Sequence, residues 1–219
     1  MSPLPHLWQR EALIATARRL NPSGLNQGTS GNLSHRVDEG FLVTPTGMEY
    51  EALRPEDIVL MRMDGSSAGG SEAGRLPSSE WRFHRDILAS RPEVQAVLHT
   101  HSLHSTALSC LRRGIPPFHY MVAMSGGSDI RCAPYATFGT EELSRHAVAA
   151  LEGRKACLLA NHGLIAVGAD LAGAFKLAVE VETLAAMYLR ALSVGEPVLL
   201  EEADMAEVLE KFRTYGQQR

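Results

Sequence analysis

Apolar, β-prone runs recur along this chain at 41–44 (FLVT), 58–61 (IVLM), 94–98 (VQAVL), 118–122 (FHYMV), 130–133 (IRCA) and 156–160 (ACLLA). Several neighbouring runs are joined by connections too short for a parallel crossover, which predicts a mixed, mainly antiparallel central sheet. Between them lie segments whose apolar residues recur at helical spacing. One covers 7–20, a second starts at Pro77-Ser78-Ser79 and runs through Trp81, His84, Ile87 and Leu88, and a third covers 103–111. Thr140 and Asp170 cap two more, and a tail helix is expected at about 205–212. Their apolar stripes need both faces of the sheet, so the expected fold is α/β with three α/β/α layers. No repeat or linker divides the chain, and 1–219 reads as one domain.

With 45% hydrophobic residues, 219 residues are enough for a full core. A formal charge of −4 argues against nucleic-acid or anionic-membrane partners, so any phosphate must be held by local geometry rather than by a basic field. No uninterrupted apolar run reaches membrane-spanning length, and the first residues lack the pattern of a signal peptide. The three cysteines, Cys110, Cys132 and Cys157, have no paired spacing, as expected for reduced, buried thiols of a cytosolic protein.

Chemistry concentrates at His99-Thr100-His101. Following a buried strand, two imidazoles two residues apart project from one face and can reach one ion. His162 follows a second such run, so a third imidazole is expected at a neighbouring strand end. Three histidines with an open coordination position form a catalytic rather than a structural metal site, and zinc, manganese and cobalt all suit them. His104 has the wrong offset to join them. Gly65-x-Ser67-x-Gly69 has the pattern of a nucleophile elbow but is followed by more loop, so no catalytic serine is expected there.

Three polar turns could together hold a phosphate without lysine: Gly28-Thr29-Ser30-Gly31-Asn32, Thr44-Pro45-Thr46-Gly47 and Ser78-Ser79. Glu80 comes directly after the paired serines and is the candidate base. No phosphoryl-transfer or dinucleotide motif is present, which makes the phosphate a handle on the substrate rather than the group transferred.

The blocks LNQGTSGNLS (25–34), TPTGMEYE (44–51), LPSSEWRFH (76–84), HTH (99–101), HYM (119–121), CAPYATFGT (132–140), NHGLIA (161–166) and EKFRTYG (210–216) resemble the class II aldolase/adducin family in the same order. The resemblance implies that His99, His101, His162 and Glu80 hold zinc, and that Glu80 is also the catalytic acid/base. It implies phosphate binding at Asn32, Thr46, Gly47, Ser78 and Ser79, and substrate contacts at Phe138 and Tyr215. Tyr120 would reach into a neighbouring subunit's site in a homotetramer. The implied reaction is reversible cleavage of L-fuculose 1-phosphate, or a similar ketose 1-phosphate, to dihydroxyacetone phosphate and an aldehyde such as L-lactaldehyde. A salvage aldolase for 5-deoxyribulose or 5-methylthioribulose 1-phosphate is the first alternative. Sugar-phosphate 4-epimerase, methylthioribulose-1-phosphate dehydratase and a non-catalytic adducin-like module follow it.

Overall fold

The computed structural model describes residues 4–67 and 71–214. Seven strands form one sheet: β1 (Asn32–Val37), β2 (Gly40–Val43), β3 (Val59–Met61), β4 (Ala96–Thr100), β5 (Arg131–Ala133), β6 (Ala156–Leu159) and β7 (Gly163–Gly168). Their order across it is β3-β2-β1-β4-β7-β6-β5, with β5–β6 the one parallel pairing. The helices are α1 (Leu7–Arg18), α2 (Trp81–Ser90), α3 (Leu103–Cys110), α4 (Glu141–Ala150), α5 (Leu171–Val194) and α6 (Glu202–Phe212).

Strand alternation separates two cores, as the three-layer expectation requires. Leu33, Leu42, Leu98, Leu158 and Leu164 face Leu13 and Ala17 of α1, Leu108 of α3, and Ala178 and Val181 of α5. Phe41, Val43, Val97, Cys157 and Ile165 face Phe83 and Ile87 of α2 and Leu143 and Ala147 of α4. Thr140 and Asp170 do cap α4 and α5, accepting from the amides of Leu143 and Gly173. No helix of the described residues is long and apolar enough to cross a membrane.

Some local expectations need correction. The run 118–122 is not a strand. A 3-10 helix covers Tyr120–Ser125, started by His119, whose ring accepts from the Met121 amide at 3.2 Å, and ended by Gly126 at φ +89°. Strands β1 and β7 lie where turn and motif residues masked a β pattern. Helix α2 begins at Trp81, so Ser78 and Ser79 precede the N-cap position, which Glu80 occupies. Of the cysteines only Cys157 is buried; Cys110 is exposed. Gly69 of the elbow-like pattern lies outside the described residues, as does Tyr215.

Candidate active site

The polar residues at one end of the sheet share the α2-facing side. On β4, His99 has the same parity as Val97 and packs edge-on to Phe83 of α2, with ring centroids 5.4 Å apart. On β1, Asn32 lies opposite His99 in the antiparallel register and Ser34 opposite Val97. His101 follows β4, and His162 sits in the turn between β6 and β7. One ligand atom from each of His99, His101 and His162 lies within 4.8 Å of the others, as their sequence spacing led us to expect. Gly163 permits the close approach of this turn: a Cβ there would lie 2.4 Å from the Thr100 carbonyl oxygen and 3.0 Å from the His101 ring.

Protonation decides what such a cluster can hold. His99 Nδ1 lies 3.0 Å from the Leu164 carbonyl oxygen, which only accepts, so Nδ1 carries the proton and Nε2 presents a lone pair. That lone pair faces His101 Nε2 at 3.1 Å and Glu80 Oε2 at 3.3 Å. Glu80 Oε1 lies 3.2 Å from His162 Nε2 yet is buried without a hydrogen-bond partner. Burial pushes His99 down to about 3, and burial followed by the neighbouring His162 lowers His101. Burial opposes charge on Glu80, but His99, His162 and the Asn32 amide outweigh it and hold the carboxyl below its ordinary range. Neutral imidazole lone pairs and a charged carboxylate aimed at one point repel one another, and a divalent cation between them removes the conflict. The donor set fits such an ion.

The three polar turns also meet here. An isolated bridge pairs Pro45 with Pro77, and the Ser78 amide donates to the Thr44 carbonyl at 3.0 Å, so the Thr46-Gly47 turn lies beside Ser78-Ser79. The Asn32 side-chain amide donates to Glu80 Oε2 at 2.9 Å. A cavity of about 280 Å³ opens at the cluster, and Ser79, Glu80, His101 and His162 line it together with Tyr135, Ala136 and Phe138. Tyr120 is elsewhere: it is half exposed and lines a separate cavity with Met121, Val208 and Phe212.

Tyr135 and Asn161 line the site without having been singled out from sequence, although both lie in the blocks that carry the resemblance. Asn26 and Tyr50 are further omissions. The Tyr50 hydroxyl donates to the Gly31 carbonyl at 2.7 Å, and Asn26 accepts from the His101 amide at 3.2 Å, tying the first polar turn to the histidine cluster. His104 is excluded as expected, its ring nitrogen lying 2.8 Å from Glu182.

A profile of the Class II Aldolase and Adducin N-terminal domain matches residues 11–189. The chain belongs to the class II aldolase and adducin family. A 5-methylthioribulose-1-phosphate/5-deoxyribulose-1-phosphate aldolase of Rhodospirillum rubrum is 59% identical over 207 residues, 94% of this chain and 92% of that one. The L-fuculose phosphate aldolase of Escherichia coli is 53% identical over 205 residues, covering 93% and 94%. A solved L-fuculose 1-phosphate aldolase superposes with a TM-score of 0.92 at 39% identity, over 97% of this chain and 100% of its own. The chain is therefore a class II aldolase, a lyase of a metal-dependent class, and its three-histidine cluster is the place where a metal fits.

Proposed function

We propose that this aldolase cleaves 5-deoxyribulose or 5-methylthioribulose 1-phosphate between C3 and C4, giving dihydroxyacetone phosphate and acetaldehyde or its methylthio derivative. The observation that carries the reaction is Glu80, buried beside the imidazoles of His99 and His162 and lining a cavity that His101, Tyr135, Ala136 and Phe138 also line. The relative at 59% identity supports the pentulose substrate over L-fuculose 1-phosphate, whose aldolase is matched at 53%. L-Fuculose 1-phosphate remains the second reading, favoured by the fold neighbour at a TM-score of 0.92.

Zinc, replaceable by manganese or cobalt, is the proposed cofactor; His99, His101, His162 and Glu80 would hold it. When bound, it supplies a Lewis acid for the charge that develops on the ketose C2 oxygen. Thr46, Gly47, Ser78, Ser79 and Asn32 hold the phosphate through hydroxyl, amide and backbone donors. As C3–C4 breaks, Tyr120 of a neighbouring subunit takes the C4 hydroxyl proton and the bonding pair remains on C3. Glu80, a carboxylate at rest, first takes up a proton from water and then delivers it to C3, completing dihydroxyacetone phosphate, while Tyr120 passes the C4 proton on to water, so one proton leaves and one arrives. Phe138, on the cavity wall, takes the aldehyde end, a role the family resemblance gives also to Tyr215, outside the described residues. The working unit is a homotetramer with sites between subunits, and its free cysteines suit the reducing cytoplasm.

A panel of ketose 1-phosphates, scored by release of dihydroxyacetone phosphate, tests the substrate. We expect the highest kcat/KM for the two ribulose derivatives; a clear preference for L-fuculose 1-phosphate overturns that choice. Mixing Tyr120→Phe with Glu80→Gln subunits tests the assembly. Activity should return in sites that combine an intact Glu80 with an intact neighbouring Tyr120, whereas mixing Glu80→Gln with His101→Ala should stay inactive. Equal failure of both mixtures, with subunit exchange verified by mass, rejects the trans-acting tyrosine.

A further inference from the structure

Behind Glu80 runs a buried chain of three side chains that the mechanism above does not use in full. Residues 32 and 34 share one face of β1 by strand alternation, while Glu80 and His84 stand one helical turn apart at the start of α2. His84 thereby reaches between Asn32 and Ser34. Its Nε2 lies 2.6 Å from Asn32 Oδ1, and its Nδ1 lies 2.7 Å from Ser34 Oγ. His84 and Ser34 are fully buried and Asn32 nearly so.

Donor and acceptor chemistry allows this chain one orientation. The Asn32 side-chain nitrogen, which only donates, lies 2.9 Å from Glu80 Oε2. The Asn32 oxygen then faces His84, whose Nε2 must carry the proton. In the neutral imidazole this leaves Nδ1 bare, and the Ser34 hydroxyl donates to it. The opposite tautomer would aim a lone pair at the amide oxygen. Turning the amide over would relieve that contact only by setting its oxygen against the Glu80 carboxylate.

We propose that His84, held by Ser34, is a positioning residue that locks the Asn32 amide with its NH2 directed at Glu80. Ring stacking on Phe83, with centroids 4.7 Å apart, fixes the plane in which His84 works. Under the aldolase reading, on which this consequence rests, the amide stays a donor aimed into the site when Glu80 turns to the substrate. An anionic substrate oxygen then finds a preset partner.

The direct test is nitrogen-15 NMR of the histidine-labelled, metal-loaded full chain. His84 should be the Nε2–H tautomer through neutral pH; an Nδ1–H tautomer, or a mixture of the two, overturns the proposal. Kinetics give an independent arm. His84→Leu should lower kcat for dihydroxyacetone phosphate release by about tenfold to a hundredfold, the cost of losing one buried hydrogen bond to a working group. His84→Gln, whose amide nitrogen can replace Nε2–H, should recover most of that loss. In an Asn32→Ala background the His84→Leu change should cost no more than about twofold, because its effect runs through Asn32. Equal losses in the Gln and Leu variants, or full additivity with Asn32→Ala, count against the proposal. If His84→Leu does not fold, the tautomer decides alone. Failure to cleave any ketose phosphate would strike at the aldolase reading and leave the tautomer measurement intact.

Discussion

Two histidine–carboxylate clusters lie within a few residues of each other, and they differ in donor balance. At Glu80, three imidazoles and a carboxylate converge, one carboxylate oxygen has no hydrogen-bond partner, and the His99 and His101 nitrogens face each other at 3.1 Å. At Glu182, on α5, the carboxylate is saturated. It accepts from the amides of His104 and Ser105 at 2.8 and 2.9 Å, the Ser105 hydroxyl at 2.7 Å and the His104 ring at 2.8 Å. Glu182 thus caps α3 from another element and needs nothing more. Residue type alone does not mark a reactive site; unmatched donors and acceptors held together by the fold do.

Exchanging the two carboxylates for amides should separate these roles. Glu80→Gln should cost the largest effect, on the order of a thousandfold in cleavage, with loss of C3 proton exchange on dihydroxyacetone phosphate in deuterated water and an unchanged fold. Normal exchange in that variant would remove Glu80 as the base. Glu182→Gln should leave the chemistry and metal intact but lower stability by about 1–3 kcal/mol, read by denaturant unfolding. Burial opposes charge on Glu182, yet hydrogen bonds from His104 and Ser105 hold its carboxyl below the ordinary 4.5. With the folded value depressed, this stabilisation is present above 4.5 and fades as pH falls through the folded value, so the acid limb of the stability profile should flatten in Glu182→Gln. Ser79→Ala, beside Glu80 but outside the convergent cluster, should weaken phosphorylated-ketose binding by about 1–3 kcal/mol with little change in fold. Smallest of all, His104→Ala should cost under about 1 kcal/mol, because its ring is half exposed while the backbone amides keep Glu182 paired.

The convergence of the three histidines was legible because its geometry is local: a strand of known parity fixes His99 and His101, and an apolar run ending before His162 brings up the third. The sheet's mixed pairing was legible from connection lengths. What escaped depends on distant partners. Asn32 reads as the end of a glycine-rich turn, but pairing with His99 makes it the first residue of β1. Gly163 reads as a motif glycine, yet it opens β7 because the strand must pass close to Thr100. The aromatic run at 118–122 has strand-like composition, but His119 and Gly126 bound a 3-10 helix around Tyr120. Ser34 and His84 gave no signal singly, since their link exists only once β1 and α2 pack.

The most direct test of the contrast between the clusters is metal content by mass, measured on the wild type, His101→Ala and His104→Ala after dialysis against trace zinc. One divalent ion per chain should remain in the wild type and in His104→Ala and be absent from a folded His101→Ala. Equal metal content in all three proteins, or loss in His104→Ala instead, would contradict the assignment of His99, His101 and His162 as the ion's ligands.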